Sequence, residues 1–256
     1  LFGFIRLLFK IKKLSDYIVA CYDAPKSIRK EFFLEYKSNR ERPDDALISQ
    51  IKKSKEVLSL LGIKCLSIDG YEADDIIATI AKKFSDRFDE IIIVGADKDL
   101  MQIVDERIKI WDGKSDEFFD KDFVETKYGV TPKQIKDFLA LVGDSSDNVP
   151  GVEGIGPKTA SKLLAKYGSI KNIFASNDDD KLIEKVKRFK EKIKLSLELV
   201  KLFDNLELNV DEGDFYVKVF KKEGLLELAR RFEFKEVFKM IEDELKDQKQ
   251  YQKIDF

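Results

Sequence analysis

One apolar stretch, Glu90-Ile91-Ile92-Ile93-Val94-Gly95-Ala96, sets the architecture of this chain. Its β-branched residues are typical of a strand that is buried on both faces of a parallel sheet. Two earlier runs, Tyr17 to Tyr22 and Ile63 to Ile68, have the same character. Longer segments with helical spacing separate the runs, from Asp45 to Leu61 and from Ala73 to Phe84. This alternation predicts right-handed βαβ units and hence an α/β fold with a parallel sheet.

The pattern changes towards the middle of the chain. Arg107 to Trp111 is a candidate further strand, and the spacing that follows is helical. We therefore expect an α/β core over residues 1–120 and a helical subdomain over residues 121–256, with its last helical stretch from Gly224 to Leu245. Residues 26–43, rich in Lys, Arg and aromatic side chains, are too long and too charged for a minimal crossover.

Composition excludes several kinds of chemistry. Among 256 residues there are 47 Lys and Arg, 49 Asp and Glu, and no histidine. Catalysis by imidazole and the usual zinc sites are therefore ruled out. The apolar stretch Leu1 to Leu14 is interrupted by basic residues and has helical spacing, so it predicts an amphipathic helix and no membrane span. Two cysteines without metal or redox spacing suit a reducing compartment such as the cytoplasm.

Acidic residues follow each of the three predicted strands. Because ligands of a parallel α/β sheet bind at the carboxyl ends of its strands, these acids should meet at one edge. A single acid at such a position is more often a helix cap, but capping does not explain three sets at successive strand ends. The residues are Asp23 after the first strand, Glu72, Asp74 and Asp75 after the second, and Asp97 and Asp99 after the third.

Crowded carboxylates repel one another and raise each other's pKa unless a cation binds them. Oxygen ligands of this kind suit Mg²⁺ or Mn²⁺ better than Zn²⁺. The sequence therefore predicts a divalent-metal site at the carboxyl end of the sheet.

A fourth acidic group, with Asp144 and Asp147, precedes a Gly-rich segment in the helical part. That segment predicts the hairpin of a helix-hairpin-helix motif over residues 132–167. In such a motif, backbone amides and a helix N-terminus bind a phosphate. Contacts of this kind hold nucleic acid without reading its sequence. A plain packing turn is the alternative. The candidate DNA-binding residues are Gly151, Gly154, Ile155, Gly156, Lys158, Thr159 and Lys162.

Three motifs resemble those of a known family. They are Tyr-Glu-Ala-Asp-Asp at 71–75, Ala-Asp-Lys-Asp-Leu at 96–100, and the long segment Gly-Asp-Ser-Ser-Asp-Asn-Val-Pro-Gly-Val-Glu-Gly-Ile-Gly-Pro-Lys-Thr-Ala at 143–160. They resemble the 5′→3′ exonuclease domain of bacterial DNA polymerase I and its stand-alone relatives, the bacterial branch of the flap endonucleases. Tyr-Asp-Ala-Pro at 22–25 and Tyr-Lys-Ser-Asn-Arg at 36–40 also match. The likeness runs from Leu1 to about Leu245.

The resemblance implies a PIN-like nuclease body with a helical arch at about 26–43, and a two-metal cleavage of 5′ flaps and of 5′ ends in branched or nicked duplex DNA. Asp23, Glu72 and Asp74 would hold one metal. Asp97, Asp99, Asp144 and Asp147 would hold the other, directly or through water, with Asp74 or Asp75 between the two ions.

The resemblance also assigns catalytic roles to the arch. Lys37, Arg40 and Arg29 would contact the scissile phosphate, and Tyr36 would stack on an unpaired base. A solvated charged face is the competing interpretation for Lys37 and Arg40. The implied cofactors are two Mg²⁺ or Mn²⁺ ions and K⁺ at the hairpin. The implied partners are DNA and a DNA polymerase, in trans or fused, and we expect a monomer.

Members of the family begin with a strand that ends in Asp-Gly and supplies a metal ligand. We expect this strand to precede Leu1 in a longer protein; the alternative is a degenerate member with an impaired first metal site. Two other hypotheses stay open. One is a branched-DNA-binding protein without catalysis, and the other is a carboxylate-only nuclease that acts on RNA, against which the Gly-rich hairpin argues.

Overall fold

The computed structural model describes residues 1–217 and 221–242. The end of the last predicted helical stretch, to Leu245, lies outside these residues. Eleven α-helices are defined within the described part: α1 Phe2–Lys12, α2 Arg29–Phe32, α3 Asp45–Leu60, α4 Ala73–Phe84, α5 Lys121–Tyr128, α6 Ile135–Val142, α7 Pro157–Tyr167, α8 Ile170–Ala175, α9 Lys181–Arg188, α10 Lys190–Val200 and α11 Lys222–Arg231. The strands are β1 Val19–Cys21, β2 Lys64–Leu66, β3 Ile91–Val94, β4 Ile108–Asp112 and β5 Glu117–Phe119.

The chain divides into two compact units. The first comprises residues 1–22, residues 42–66 and the described residues from 208 onward. The second comprises residues 23–41 and 67–207. The predicted boundary near residue 120 divides the chain differently and stays a prediction.

The first unit contains a two-stranded parallel sheet. β1 pairs with β2 in the register Val19 to Lys64 and Cys21 to Leu66. Helices α1, α3 and α11 build its core, because the apolar stripe of each is turned inward. The predicted amphipathic helix at the start of the chain is confirmed as α1, whose Ile5 is fully buried. Both cysteines, Cys21 and Cys65, are half-buried thiols outside any disulfide.

The second unit contains a three-stranded sheet. β3 and β4 are parallel, and β5 returns antiparallel to β4. The core lies around β4, where Ile110 and Trp111 are almost fully inaccessible. Helix α6 packs against α7 and α10 in the same unit.

The three predicted strands are present, but their burial differs from the expectation. All of β1 and β2 is half-buried, and in β3 only Ile93 is buried while Val94 is exposed. The physical reason is pairing: within the described residues β1 has β2 as its one strand neighbour and β3 has β4, so each strand keeps an edge without a ladder partner.

The Gly-rich segment forms the predicted hairpin between α6 and α7. Asp144 and Val149 exchange two backbone hydrogen bonds, of 2.9 and 2.8 Å, across the turn. The backbones then approach so closely that a Cβ on Gly151 would lie 2.3 Å from the carbonyl oxygen of Val142, which explains glycine at that position. Gly156 and Pro157 begin α7.

The predicted arch segment is mostly not helical. After the four residues of α2, the chain runs through turns over residues 34–40 and has no regular structure over residues 41–44. No helix in the described part of the chain combines the length and the apolar character that a bilayer span needs.

Candidate active site

Acids from all three predicted strand ends lie close together in the second unit. Asp144 and Asp147, from the loop after α6, lie with them. Burial, followed by the charges of Asp97 and Asp23, raises the pKa of Asp74 to about 7. Burial also raises the pKa of Asp99 to about 8, with further contributions from neighbouring aspartates. These mutual effects define what we call the acidic cluster: Asp23, Asp74, Asp97, Asp99, Asp144 and Asp147.

One atom of the acidic cluster has the character of a cation ligand. The Oδ1 atom of Asp99 is inaccessible and has no hydrogen-bond partner among the described residues. A buried carboxylate oxygen without a partner is costly, whereas a metal ion would satisfy it and lower the raised pKa values. The cluster therefore fits a hard divalent cation in its donor type and its charge. Even so, no three side chains of metal-binding type in the described residues have the geometry of a preformed site.

Glu72 lies beside the acidic cluster at the start of α4. Its backbone and side chain form a capping box with Asp75, which fixes the first turn of the helix. Its Oε2 accepts hydrogen bonds from the hydroxyl of Tyr36 at 3.1 Å and from Nζ of Lys37 at 2.8 Å. Burial would raise the pKa of Glu72, but the charges of Lys37 and Arg29 outweigh it and hold that pKa below its ordinary value.

Arg29 and Asp75 form a buried ion pair. Nη1 and Nη2 of Arg29 donate to the two carboxylate oxygens of Asp75 at 2.8 and 2.7 Å. Nε donates to the backbone carbonyl of Leu199, and Nη2 also donates to the carbonyl of Lys201. Arg29 is 2% exposed and Asp75 is fully buried. The predicted roles were a phosphate contact for Arg29 and a metal ligand for Asp75. Both side chains are instead buried in the fold and paired with each other. We therefore propose a structural role for the pair.

Tyr36 is also part of the fold. Its side chain is 2% exposed and belongs to the apolar core of the second unit, and its hydroxyl donates to Glu72. A ring enclosed in this way does not stack on an unpaired base, so the structure offers no surface for the predicted role.

Lys37 and Arg40 reach the acidic cluster. Nζ of Lys37 lies 3.7 Å from Asp147, and Arg40 forms an ion pair with the same carboxylate. Lys37 has a positive φ of 53°, unusual for a residue with a side chain, and its amide donates to the carbonyl of Asp147. The two predicted phosphate ligands therefore lie among the acids rather than on a remote charged face.

Sequence reasoning missed Lys98 and Asn148. Nζ of Lys98 lies 2.7 Å from Oδ1 of Asp144. Asn148 donates from Nδ2 to the carbonyl of Glu35 at 2.8 Å, which ties the loop after α6 to the arch segment. The position of Lys98 between Asp97 and Asp99 could have indicated that it lies near the acids. Nothing in the sequence indicates that its partner is Asp144.

The hairpin presents an exposed turn. Gly154, Gly156, Lys158 and Lys162 are exposed, whereas Gly151 and Thr159 are half-buried. Ile155 is 3% exposed and its side chain anchors the turn to the core, so a contact of this candidate with a ligand would have to use its backbone.

An α/β body that gathers carboxylates beside basic side chains, with a helix-hairpin-helix motif, is that of a PIN-like nuclease. The 5′-3′ exonuclease family matches the chain in two parts. Its N-terminal resolvase-like domain matches residues 1–129, and its C-terminal SAM fold matches residues 130–223. The chain belongs to this family, whose members are nucleases.

Curated relatives agree with this assignment. A 5′-3′ exonuclease of Aquifex aeolicus is 41% identical over 94% of this chain and 84% of its own length. DNA polymerase I of Caldicellulosiruptor bescii is 34% identical over 94% of this chain but only 30% of its own length. The chain thus spans most of the exonuclease and less than a third of the polymerase.

Solved structures share the fold. The T5 5′-exonuclease with bound zinc has a TM-score of 0.70 at 21% identity, covering 95% of this chain and 89% of that chain. The catalytic core of Rad2 in complex with a DNA substrate has a TM-score of 0.61 at 19% identity, covering 90% and 77%.

Proposed function

We propose that this chain is a structure-specific 5′ nuclease. It cleaves phosphodiester bonds at 5′ flaps and at 5′ ends of branched or nicked duplex DNA, as primer removal and repair require, with two divalent cations, Mg²⁺ or Mn²⁺. The observation that carries the proposal is the acidic cluster, in which Asp99 has a buried oxygen without a partner among the described residues, while Lys37 and Arg40 contact Asp147. Family membership and the similarity to the 5′-3′ exonuclease of Aquifex aeolicus support it.

The cations would be held by the carboxylates of the acidic cluster. Bound divalent ions would lower the pKa of a water ligand and stabilise the leaving oxygen, which a chain without histidine cannot do by imidazole. Glu72 keeps Lys37 at the edge of the cluster through the 2.8 Å contact. Lys37 and Arg40 bind the scissile phosphate and stabilise the charge that develops on it.

The hairpin binds the duplex beside the cut. Its exposed turn offers backbone amides and the N-terminus of α7, and Lys158 and Lys162 add positive charge. The same turn is the proposed K⁺ site, with backbone carbonyls as ligands. These contacts read the backbone and not the bases, so they give the enzyme a preference for DNA structure over DNA sequence.

We further propose that the nuclease acts as a monomer alongside a DNA polymerase, in trans or as a fused domain. The support is the similarity to the first part of bacterial DNA polymerase I. Cytoplasmic, nucleoid-associated action would follow from such a partnership.

A branched-DNA-binding protein without catalysis is the second candidate. The absence of a preformed ligand set within the described residues favours it. The ion pairs of Arg40 with Asp147 and of Lys98 with Asp144 also favour the binding protein, because each neutralises an acid that the nuclease would use to bind metal.

Cleavage of a 5′-labelled flap duplex separates the two candidates. We expect short labelled products with Mg²⁺ or Mn²⁺ and none with EDTA, and we expect Asp97→Ala plus Asp99→Ala to lower the rate about a hundredfold or more. The change Asp86→Ala, at an exposed acid outside the acidic cluster, is the matched control and should leave the rate unchanged.

The opposite results are equally clear. Tight flap binding without cleavage in Mg²⁺ and Mn²⁺ would support the binding protein and contradict the nuclease. Cleavage of an RNA flap with the DNA flap left intact would instead support the RNA nuclease.

A further inference from the structure

Lys98 joins two loops of the acidic cluster. It lies between Asp97 and Asp99 in the loop after β3, and its Nζ is 2.7 Å from Oδ1 of Asp144 in the loop after α6. The Asp144 side chain is 5% exposed and that of Lys98 is 35% exposed. The contact is therefore partly desolvated, where an ion pair holds its geometry better than at an open surface.

Contacts on Asp144 converge on one of its two oxygens. Besides Lys98, the amide and the hydroxyl of Ser146 donate to Oδ1, at 2.9 and 2.7 Å. None of these three contacts involves Oδ2. A carboxylate that is held through one oxygen in this way has a defined orientation and keeps the other oxygen for a cation.

We propose that Lys98 is a positioning residue of the metal site, which holds Asp144 through Oδ1 so that Oδ2 faces a divalent cation. Lys98 also connects the motif that supplies Asp97 and Asp99 to the motif that supplies Asp144, so the ligands of one site keep a fixed separation. The inference rests on the proposed function, because it assumes that the acidic cluster binds a divalent cation.

A simple charge argument predicts the opposite effect, which makes the proposal testable by sign. Removing a positive charge from an acidic site strengthens the Coulomb attraction for a cation, so Lys98→Met would then bind metal more tightly. If Lys98 acts by positioning, its loss weakens metal binding, as loss of a partner that orients a ligand commonly does by about 10- to 100-fold.

The test measures Mn²⁺ binding to the full chain without DNA, from the electron paramagnetic resonance signal of free Mn²⁺. We expect Lys98→Met to weaken binding about tenfold or more, Lys98→Gln to weaken it less, and Lys98→Arg to stay within about threefold of the unmodified chain. Lys109→Met is the matched control. Lys109 is also 35% exposed and also forms a short ion pair, 2.6 Å to Glu90 just before the neighbouring strand β3, and its loss should leave Mn²⁺ binding unchanged.

Each outcome decides one question. Unchanged or tighter Mn²⁺ binding by Lys98→Met overturns the positioning role. If Lys98→Met does not fold by circular dichroism, Lys98→Gln and Lys98→Arg decide, and equal binding by both and the unmodified chain overturns it. No Mn²⁺ binding by the unmodified chain, or unchanged binding by Asp99→Asn, contradicts the proposed metal chemistry itself.

Discussion

Asp99 is the least compensated acid of the site. Its Oδ1 has no partner within the described residues, and its pKa is raised to about 8 by burial and by the surrounding aspartates. Without metal, the ionised side chain therefore costs folding free energy, and the same charge is what attracts a cation. Function and stability should thus oppose each other at this position.

Asp99→Asn tests this opposition. In EDTA at pH 8 we expect the variant to be more stable than the unmodified chain by roughly 1–2 kcal/mol, because a repelled charge is removed. Cleavage with Mg²⁺ should be lost. Urea unfolding in EDTA measures the first effect, and a variant that is less stable under these conditions would show that the acid is compensated after all.

Two arginines pair with aspartates in contrasting surroundings. Arg29 is enclosed with Asp75, whereas about half of the Arg40 side chain is exposed where it meets Asp147. Removing one partner of a buried pair leaves an uncompensated charge, but removing an exposed partner costs little.

We expect Arg29→Met to lower the free energy of unfolding by about 3–5 kcal/mol. Arg40→Met should lower it by less, because Arg40 is half-exposed and Lys37 remains 3.7 Å from Asp147, while reducing flap cleavage by about a hundredfold. Urea denaturation and single-turnover cleavage separate the effects. Near-native stability of Arg29→Met, together with strongly impaired cleavage, would restore Arg29 as a phosphate ligand.

At the scale of elements, the hairpin between α6 and α7 combines a fixed frame with an accessible turn. Val152 and Ile155 are each 3% exposed and anchor it, while Lys158 at the start of α7 is exposed. Affinity for DNA backbone and stability should therefore depend on different residues of one element.

Lys158→Ala should weaken duplex binding about fivefold or more and make the dependence of log Kd on log salt shallower by about one. Turnover of bound substrate should change less than affinity. The control is Lys114→Ala, at an exposed lysine in the β4–β5 turn. Binding is measured with Ca²⁺ in place of Mg²⁺, and an unchanged salt dependence for Lys158→Ala would show that the hairpin does not hold the duplex.

Elements with local signals could be predicted from sequence. The apolar runs predicted β1 to β3, and acids at strand ends predicted most of the acidic cluster. Side-chain partnerships could not be predicted, because they join distant positions. Arg29 reaches carbonyls at 199 and 201, and Tyr36 reaches Glu72, contacts that only the packed core brings about.

At the scale of the whole molecule, the absence of histidine simplifies the pH dependence. Side chains whose pKa lies between pH 5 and pH 8 are then carboxylates with raised pKa, of which Asp74 at about 7 and Asp99 at about 8 are examples. Their folded pKa exceeds the unfolded value of about 4, so the folded state binds more protons in this range. Stability therefore falls as the pH rises through it.

We expect the metal-free chain to lose unfolding free energy between pH 5 and pH 8, by at most about 1.4 kcal/mol per pH unit for each of the two carboxylates until its folded pKa is reached. The lowered pKa of Glu72 changes the stability only below the unfolded pKa of about 4.5, so it does not contribute between pH 5 and pH 8. Saturating Mg²⁺ should remove most of the pH dependence. Denaturant unfolding at each pH, with and without Mg²⁺, measures both, and a stability that rises from pH 5 to pH 8 in EDTA would contradict the charge balance described.

Trp111 gives the molecule an optical reporter. It is the single tryptophan of the chain, lies on β4 with 1% exposure, and stacks on Phe118 at a ring distance of 6.3 Å. Intrinsic fluorescence excited at the indole band therefore reports on the second unit, whereas far-ultraviolet circular dichroism averages over all helices. Coincident melting curves from the two signals would show that the units unfold as one cooperative system, and separated curves would assign the earlier or later transition to the unit that carries the acids.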